Sequence, residues 1–140
     1  MKIFLVILFA SIIFLGCSEK KVPDKDQEKT LFDEVIKVHD DVMGADEHLM
    51  KNKMLLDSMV KHNSTADVKD SVYTYLGKLN LADSAMSSWM HKFDAENTGK
   101  SHEQIMSYLS DQKKQIEGVK TQINGALAVS DKYLAKWKMK

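Results

Sequence analysis

Apolar residues return along this chain every three or four positions. Leu31, Val35, Val38, Val42, Ala45, Leu49, Leu56 and Met59 form one such series, and only Asn52 interrupts it. That rhythm is the seam of a helix wound against partners. A second line, Phe32, Ile36, His39, Met43, Met50 and Met54, widens the stripe. The pattern predicts a helix that starts between Asp24 and Thr30. Thr30, with Asp33 three residues on, offers an N-terminal cap. The helix should end near His62, where Asn63-Ser64-Thr65 breaks the period.

A second helix should be capped by Ser64 or Thr65. It carries Val68, Val72, Tyr75, Leu79, Ala82, Met86, Trp89 and Phe93 as its stripe, and Asn97-Thr98-Gly99 ends it with Gly99 as a left-handed cap. Ser101-His102-Glu103-Gln104 reads as a capping box that opens a third helix. Ile105, Leu109, Ile116, Val119, Ile123, Ala126, Tyr133 and Trp137 then keep the rhythm to the C-terminus. No stretch alternates as a strand would. Three long amphipathic helices joined by short turns bury their stripes only against one another. The expected fold is therefore all-α: an antiparallel up-down-up three-helix bundle with coiled-coil-like packing. Gly44, Gly77, Gly118 and Gly125 fall inside helical segments, each at a cost of about 1 kcal/mol relative to Ala. A break at Gly118 or Gly125 would turn three helices into four.

The chain begins differently. Lys2 is followed by Ile3 to Leu15, 13 residues without a charge. This is the length of a secretory signal's apolar core and is too short to span a bilayer. The run ends at Gly16 and at Cys17, the chain's one cysteine. Leu15-Gly16-Cys17 resembles the lipobox of bacterial lipoproteins. The resemblance implies cleavage before Cys17 and acylation of its sulfur and new amine. Residues 1–16 are then a signal peptide, 17–27 a tether containing Pro23, and 28–140 the helical bundle domain. It also implies the cell envelope as location, with the membrane as a partner through the lipid anchor. The outer membrane, on its periplasmic side, is the expected place. The tether lacks the run of acids that marks surface-exported lipoproteins. Without acylation, Cys17 would be the free thiol of a plain secreted protein.

Composition narrows the function. Removal of residues 1–16 leaves 19 Lys against 20 Asp and Glu, and the chain has no Arg. A near-neutral chain has no electrostatic pull towards nucleic acid, and the bidentate fork that suits phosphate is absent. Once Cys17 is acylated no thiol chemistry remains. No nucleophile elbow, phosphate loop or His-Glu-x-x-His run occurs. The expected protein is not an enzyme and carries no cofactor.

Methionine and histidine recur at helical spacing. His39 and Met43, Met86 and Met90, and His102 and Met106 are each four apart and share a helix face. Counting outwards from turns centred on Ser64 and Thr98 brings all three pairs to one level, towards the tethered end. Two readings stand open. Met is a flexible core filler that packs well on rings such as Trp89 and Phe93. Thioether and imidazole are also ligands suited to Cu(I), so the six residues make a candidate copper site. Asp83, on the edge of the second stripe, either meets a partner across the core or reaches solvent. The end of the chain, from Asp131, interleaves Lys132, Lys136, Lys138 and Lys140 with Tyr133, Leu134, Trp137 and Met139. These lysines complement the helix dipole, or else lie on anionic lipid.

His39-Asp40-Asp41-Val42-Met43 and Ala82-Asp83-Ser84-Ala85-Met86-Ser87-Ser88-Trp89-Met90 resemble short motifs of small helical lipoproteins of Bacteroidota, some of which carry the name viral A-type inclusion protein. The resemblance implies an envelope lipoprotein and supplies no activity. Asp57-Ser58-Met59, Asp70-Ser71-Val72 and Asp83-Ser84-Ala85 also fit an O-glycosylation triplet of that phylum, although inside helices. The expected role is that of a membrane-anchored envelope lipoprotein with a structural or protein-interaction function and an envelope protein as partner. The alternative is a periplasmic-side copper-binding protein that uses the Met/His cluster.

Overall fold

The computed structural model describes residues 23–62 and 65–138. Four helices account for almost all of them: α1 (Asp24–Met43), α2 (Asp46–Lys61), α3 (Ala66–Lys92) and α4 (His102–Lys138). No strand occurs among the described residues. The expected signal peptide, Cys17 and residues 17–22 of the expected tether lie outside them.

α1 and α2 act as one interrupted helix. Val35, Val42, Leu49 and Leu56 stand seven apart and are all buried, at 0–3% exposure, on both sides of the interruption. At the junction Gly44 donates its N–H to the Asp40 carbonyl at 2.9 Å, and Ala45 donates to the nearer Val42 carbonyl at 3.0 Å. The ladder tightens for one step and resumes at Leu49, which bonds the Ala45 carbonyl at 3.0 Å. The seam survives because the tightening leaves the seven-residue interval intact. The helix expected to run unbroken to His62 is thus divided at Gly44.

α4 does the reverse. It runs 37 residues without a break, through Gly118 and Gly125. A Cβ built at either glycine meets nothing within 4 Å, so both face solvent. Buried Ile116, Val119, Ile123 and Ala126 on the opposite face offset the cost of the glycines. No fourth packing unit forms there.

Three helical bodies therefore pack together, α1 with α2, α3, and α4. Between the first and the last, partners advance in step. Glu34 pairs with Lys113, Asp41 with Lys120 and Asn52 with Asp131, each 79 residues apart. Between α3 and α4 the order runs the other way. Tyr75 meets Tyr133 with centroids 4.6 Å apart, and Phe93 meets Tyr108 at 6.2 Å.

α1 starts at the early limit of the expected range, whereas the cap at Thr30 and the end of α3 differ from expectation. α1 starts at Asp24, so residues 24–27 of the expected tether are helical. Pro23 supplies the start. Its carbonyl accepts from Asp26 at 2.9 Å and Gln27 at 3.2 Å, and Asp24 and Asp26 lie at the positive end of the dipole. Thr30 is no cap; it sits within α1 and its hydroxyl donates to the Asp26 carbonyl at 2.8 Å. α3 ends at Lys92, before Asn97-Thr98-Gly99. Gly99 does take a left-handed φ of 77°, but as part of the connection and not as a helix cap. The capping box is present as read. Ser101 N–H donates to Gln104 Oε1 at 2.8 Å, and Gln104 N–H donates to Ser101 Oγ at 3.3 Å.

Candidate functional site

The six Met and His side chains do not gather at one level. Met43, Met86 and Met90 line a single groove of about 230 Å³ where α3 faces the junction of α1 and α2. Met86 forms its buried wall, at 6% exposure, while Met43 and Met90 are 40% and 42% exposed at its rim. Asp46, Asp83 and Ser87 add polar atoms to the rim. Leu49 and Ile123 close the floor. The (i, i+4) spacing of Met86 and Met90 puts both on the α3 face that looks at this junction.

Met106 lies elsewhere, in a shallow groove beside Gln27, Thr30, Leu31 and Glu34. Gln27 and Met43 are 16 residues apart. At 1.5 Å per residue, Met106 sits about 24 Å along the bundle from Met43. Symmetric counting about Thr98 fails because α3 stops at Lys92. The connection to His102 is not helical and covers more length per residue than a helix does. Phe93 is level with Tyr108, so Met90 is level with residues beyond Tyr108, and Met106 is level with the connection.

Both histidines have other neighbours. His102 Nδ1 lies 2.8 Å from Glu28 Oε1, and its Nε2 is 3.8 Å from Asp24 Oδ1. This pair fastens the start of α4 to the start of α1. His39 Nδ1 lies 2.9 Å from Asp40 Oδ1, and its ring packs on Trp89 at 5.9 Å. Trp89 in turn stacks on Phe93 at 4.8 Å, and Phe93 reaches Phe32 at 6.1 Å. The result is an aromatic layer across α1, α3 and α4 at the Asp24 end. Among the described residues, no three His, Asp or Glu side chains come together to hold a metal ion.

The interior polar site was legible only as an interruption. Asn52 is 3% exposed and Ser130 is fully buried, each on the inner face of its helix. Asn52 Nδ2 donates to Ser130 Oγ at 2.9 Å and to Asp131 Oδ1 at 2.7 Å. Ser130 Oγ donates on to the Leu127 carbonyl at 3.0 Å, and His48 Nε2 meets Asp131 Oδ1 at 2.8 Å. Asp83 accepts from Lys53 Nζ at 3.0 Å across α2 and α3, while still half exposed.

Charge is arranged along the α1–α4 seam. Glu34 and Asp41 are seven apart, as are their partners Lys113 and Lys120. The Lys120 ammonium, hydrogen-bonded to Asp41, lowers that carboxyl's pKa, with Lys37 adding to the effect. Glu34 raises the pKa of Lys113 by the same means. The connection after α3 is folded around Asp94. Its carboxylate accepts from Glu96 N–H at 3.1 Å, from Asn97 N–H at 3.3 Å and from Lys100 Nζ. Asp94 N–H donates to Tyr108 Oη at 2.6 Å, and Lys100 lies over the Tyr108 ring at 5.1 Å. The Lys100 bond is the main cause that holds the Asp94 carboxyl below its usual range.

The serines of the three glycosylation-like triplets all lie inside helices, and the Ser71 hydroxyl donates to the Asp67 carbonyl at 3.0 Å. No helix among the described residues is long and apolar enough to cross a membrane. No family model, no curated protein and no solved structure matches this chain.

Proposed function

We propose that this protein is a lipid-anchored lipoprotein of the cell envelope whose helical body has a structural or protein-interaction role. The observation that carries this reading is Cys17. The only thiol of the chain stands at the end of the uncharged run Ile3–Leu15, directly after Gly16. The motifs around Met43 and Met86 that resemble Bacteroidota lipoproteins agree with it. So does the helical body, which begins at Asp24, seven residues after the anchor point.

In this reading the bundle is up-down-up and is held to the outer membrane at its α1 start, on the periplasmic side. The opposing orders in which partners meet along α4 support that topology. Lys132 and Lys136 then lie towards the far end, about 45–50 Å away along α4 at 1.5 Å per residue. There they complement the helix dipole instead of touching the anchoring membrane. Met50 and Met54, four apart and exposed, give α2 a flexible apolar strip of the kind that adapts to a protein partner.

Metabolic labelling with a fatty-acid analogue tests the anchor. The parent should incorporate label and sediment with membranes. Cys17→Ser should lose the label and its acyl-dependent membrane retention, since each buried methylene contributes about 0.8 kcal/mol to anchoring. Equal labelling and retention of the two proteins would end the lipoprotein reading.

A further inference from the structure

We propose that the groove between α3 and the α1–α2 junction is a binding site for one soft monovalent cation, Cu(I), held by the thioethers of Met43, Met86 and Met90. The proposal stands on the groove and is independent of whether Cys17 carries lipid.

Three observations support it. First, methionines from two helices line the groove. Met43 comes from the last turn of α1, and Met86 and Met90 come from successive turns of α3. Neutral thioethers are ligands that favour Cu(I) over the harder divalent ions. Second, two of the three are not core filler. Met86 is buried, but Met43 and Met90 keep about two fifths of their surface open at the rim of the groove. A cation reaches such a site from solvent without opening the core. Unbranched methionine side chains have the rotamer freedom to close on an ion. Third, the charge at the rim suits a cation. Asp46 and Asp83 both line the groove. Lys53 balances Asp83 at 3.0 Å. Asp46 then gives the groove a carboxylate outside that pair, and it favours a single positive charge.

The groove also separates this site from the wider six-residue cluster. Met106 is about 24 Å away along the bundle. His102 is tied to Glu28 at the start of α1. Neither can share an ion with Met86. Harder ions are less well served here, because three methionines line the groove and no three His, Asp or Glu side chains gather among the described residues. The site therefore predicts preference for Cu(I) and Ag(I) over Zn(II) and Cu(II).

The test uses the full chain in detergent, carrying Cys17→Ser so that no thiol competes, with methionine methyl groups labelled with carbon-13. Ag(I), a closed-shell stand-in, is titrated first, and Cu(I) under reductant second. The expected result is that the Met43, Met86 and Met90 methyl signals move together and stop moving at one ion per chain. Met54, also exposed, and Met106 should stay still. Met86→Leu with Met90→Leu conserves volume and apolarity. It should keep the circular dichroism of the parent, abolish the Met43 shift and weaken Cu(I) affinity at least tenfold against a competing chelator. If the double variant unfolds, Met90→Leu alone decides, because that side chain sits at the rim. Absence of any shift overturns the proposal. So does a shift spread evenly over all methionines, or Cu(I) affinity unchanged in Met90→Leu.

Discussion

Asn52 on α2 donates a hydrogen bond to the hydroxyl of Ser130 on α4, 2.9 Å away, inside a mainly apolar seam. Both residues replace an apolar side chain on the buried face of their helix. Leu49 and Leu56 flank the first, and Leu127 and Leu134 flank the second. A slip of one heptad along α4 would set Asn52 against Ile123 or Trp137 and leave its amide without this partner. The pair thus selects the register in which Glu34 also finds Lys113 and Asp41 finds Lys120. A polar residue in a coiled-coil core has this use, at some expense in stability.

The pair predicts a coupled response. Asn52→Ala should destabilise by about 1–3 kcal/mol, because the polar partners it leaves behind are buried. Asn52→Leu combined with Ser130→Ala should cost less than the two single changes added together. Urea unfolding of the four proteins gives the coupling, which should be about 0.5–3 kcal/mol. Simple additivity would mean that the bond does not act as a unit.

Leu49 tests the seam itself. It is 1% exposed and continues the buried line across the Gly44 junction. Leu49→Ala should cost about 2–5 kcal/mol, from lost transfer energy and the cavity left behind. Met54→Ala, at 69% exposure one turn along α2, is the matched control and should change stability by less than about 0.5 kcal/mol. Similar melting shifts for the two would contradict the burial assigned here.

The glycines separate two backbone situations. At Gly118 and Gly125 a methyl group meets open space in a regular helix. Alanine at each should stabilise by about 0.5–1 kcal/mol, through helix propensity and a less free unfolded chain. Gly99 has a φ of 77°. Gly99→Ala should destabilise by about 1–2 kcal/mol, the cost of a Cβ in the left-handed region. Thermal melts should therefore move in opposite directions. A rise with Gly99→Ala would show that the connection relaxes to another conformation.

Acid should loosen the connection after α3. The Asp94 carboxyl is held below its ordinary value of 3.8, mainly by Lys100. The folded chain therefore gives up the carboxylate at lower pH than the unfolded chain does. The stabilising contribution is complete above about pH 4–5 and disappears as the pH falls through the folded value. Lys100→Met should bring the carbon-13 titration of the Asp94 side chain back towards 3.8, while Asp41, paired with Lys120, stays low. An unchanged Asp94 titration would show that the two backbone N–H groups, and not Lys100, hold it down.

The sequence alone determined the all-helical class, three packed helical bodies and the capping box at Ser101. Each follows from short-range periodicity or from a four-residue motif, and both are written in neighbouring residues. Asn52 was visible as a flaw in the pattern of helix one. Its partner Ser130 was not, because nothing local links residues 78 positions apart. Tertiary structure also decided which glycine interrupts a helix. Gly44 lies where the ladder tightens by one step, whereas α4 carries Gly118 and Gly125 through because its other face is buried from Leu109 to Leu134. The methionines show the same division. Spacing of four put Met86 and Met90 on one face, and only the packing of the α1–α2 body against α3 brought Met43 to them. Met106 was miscounted because the count carried the second helix on through residues 93–96 to a turn at Thr98. The end of α3 at Lys92 lengthens that path, and a few ångströms per residue over a short connection are enough to move a side chain out of one site and into another.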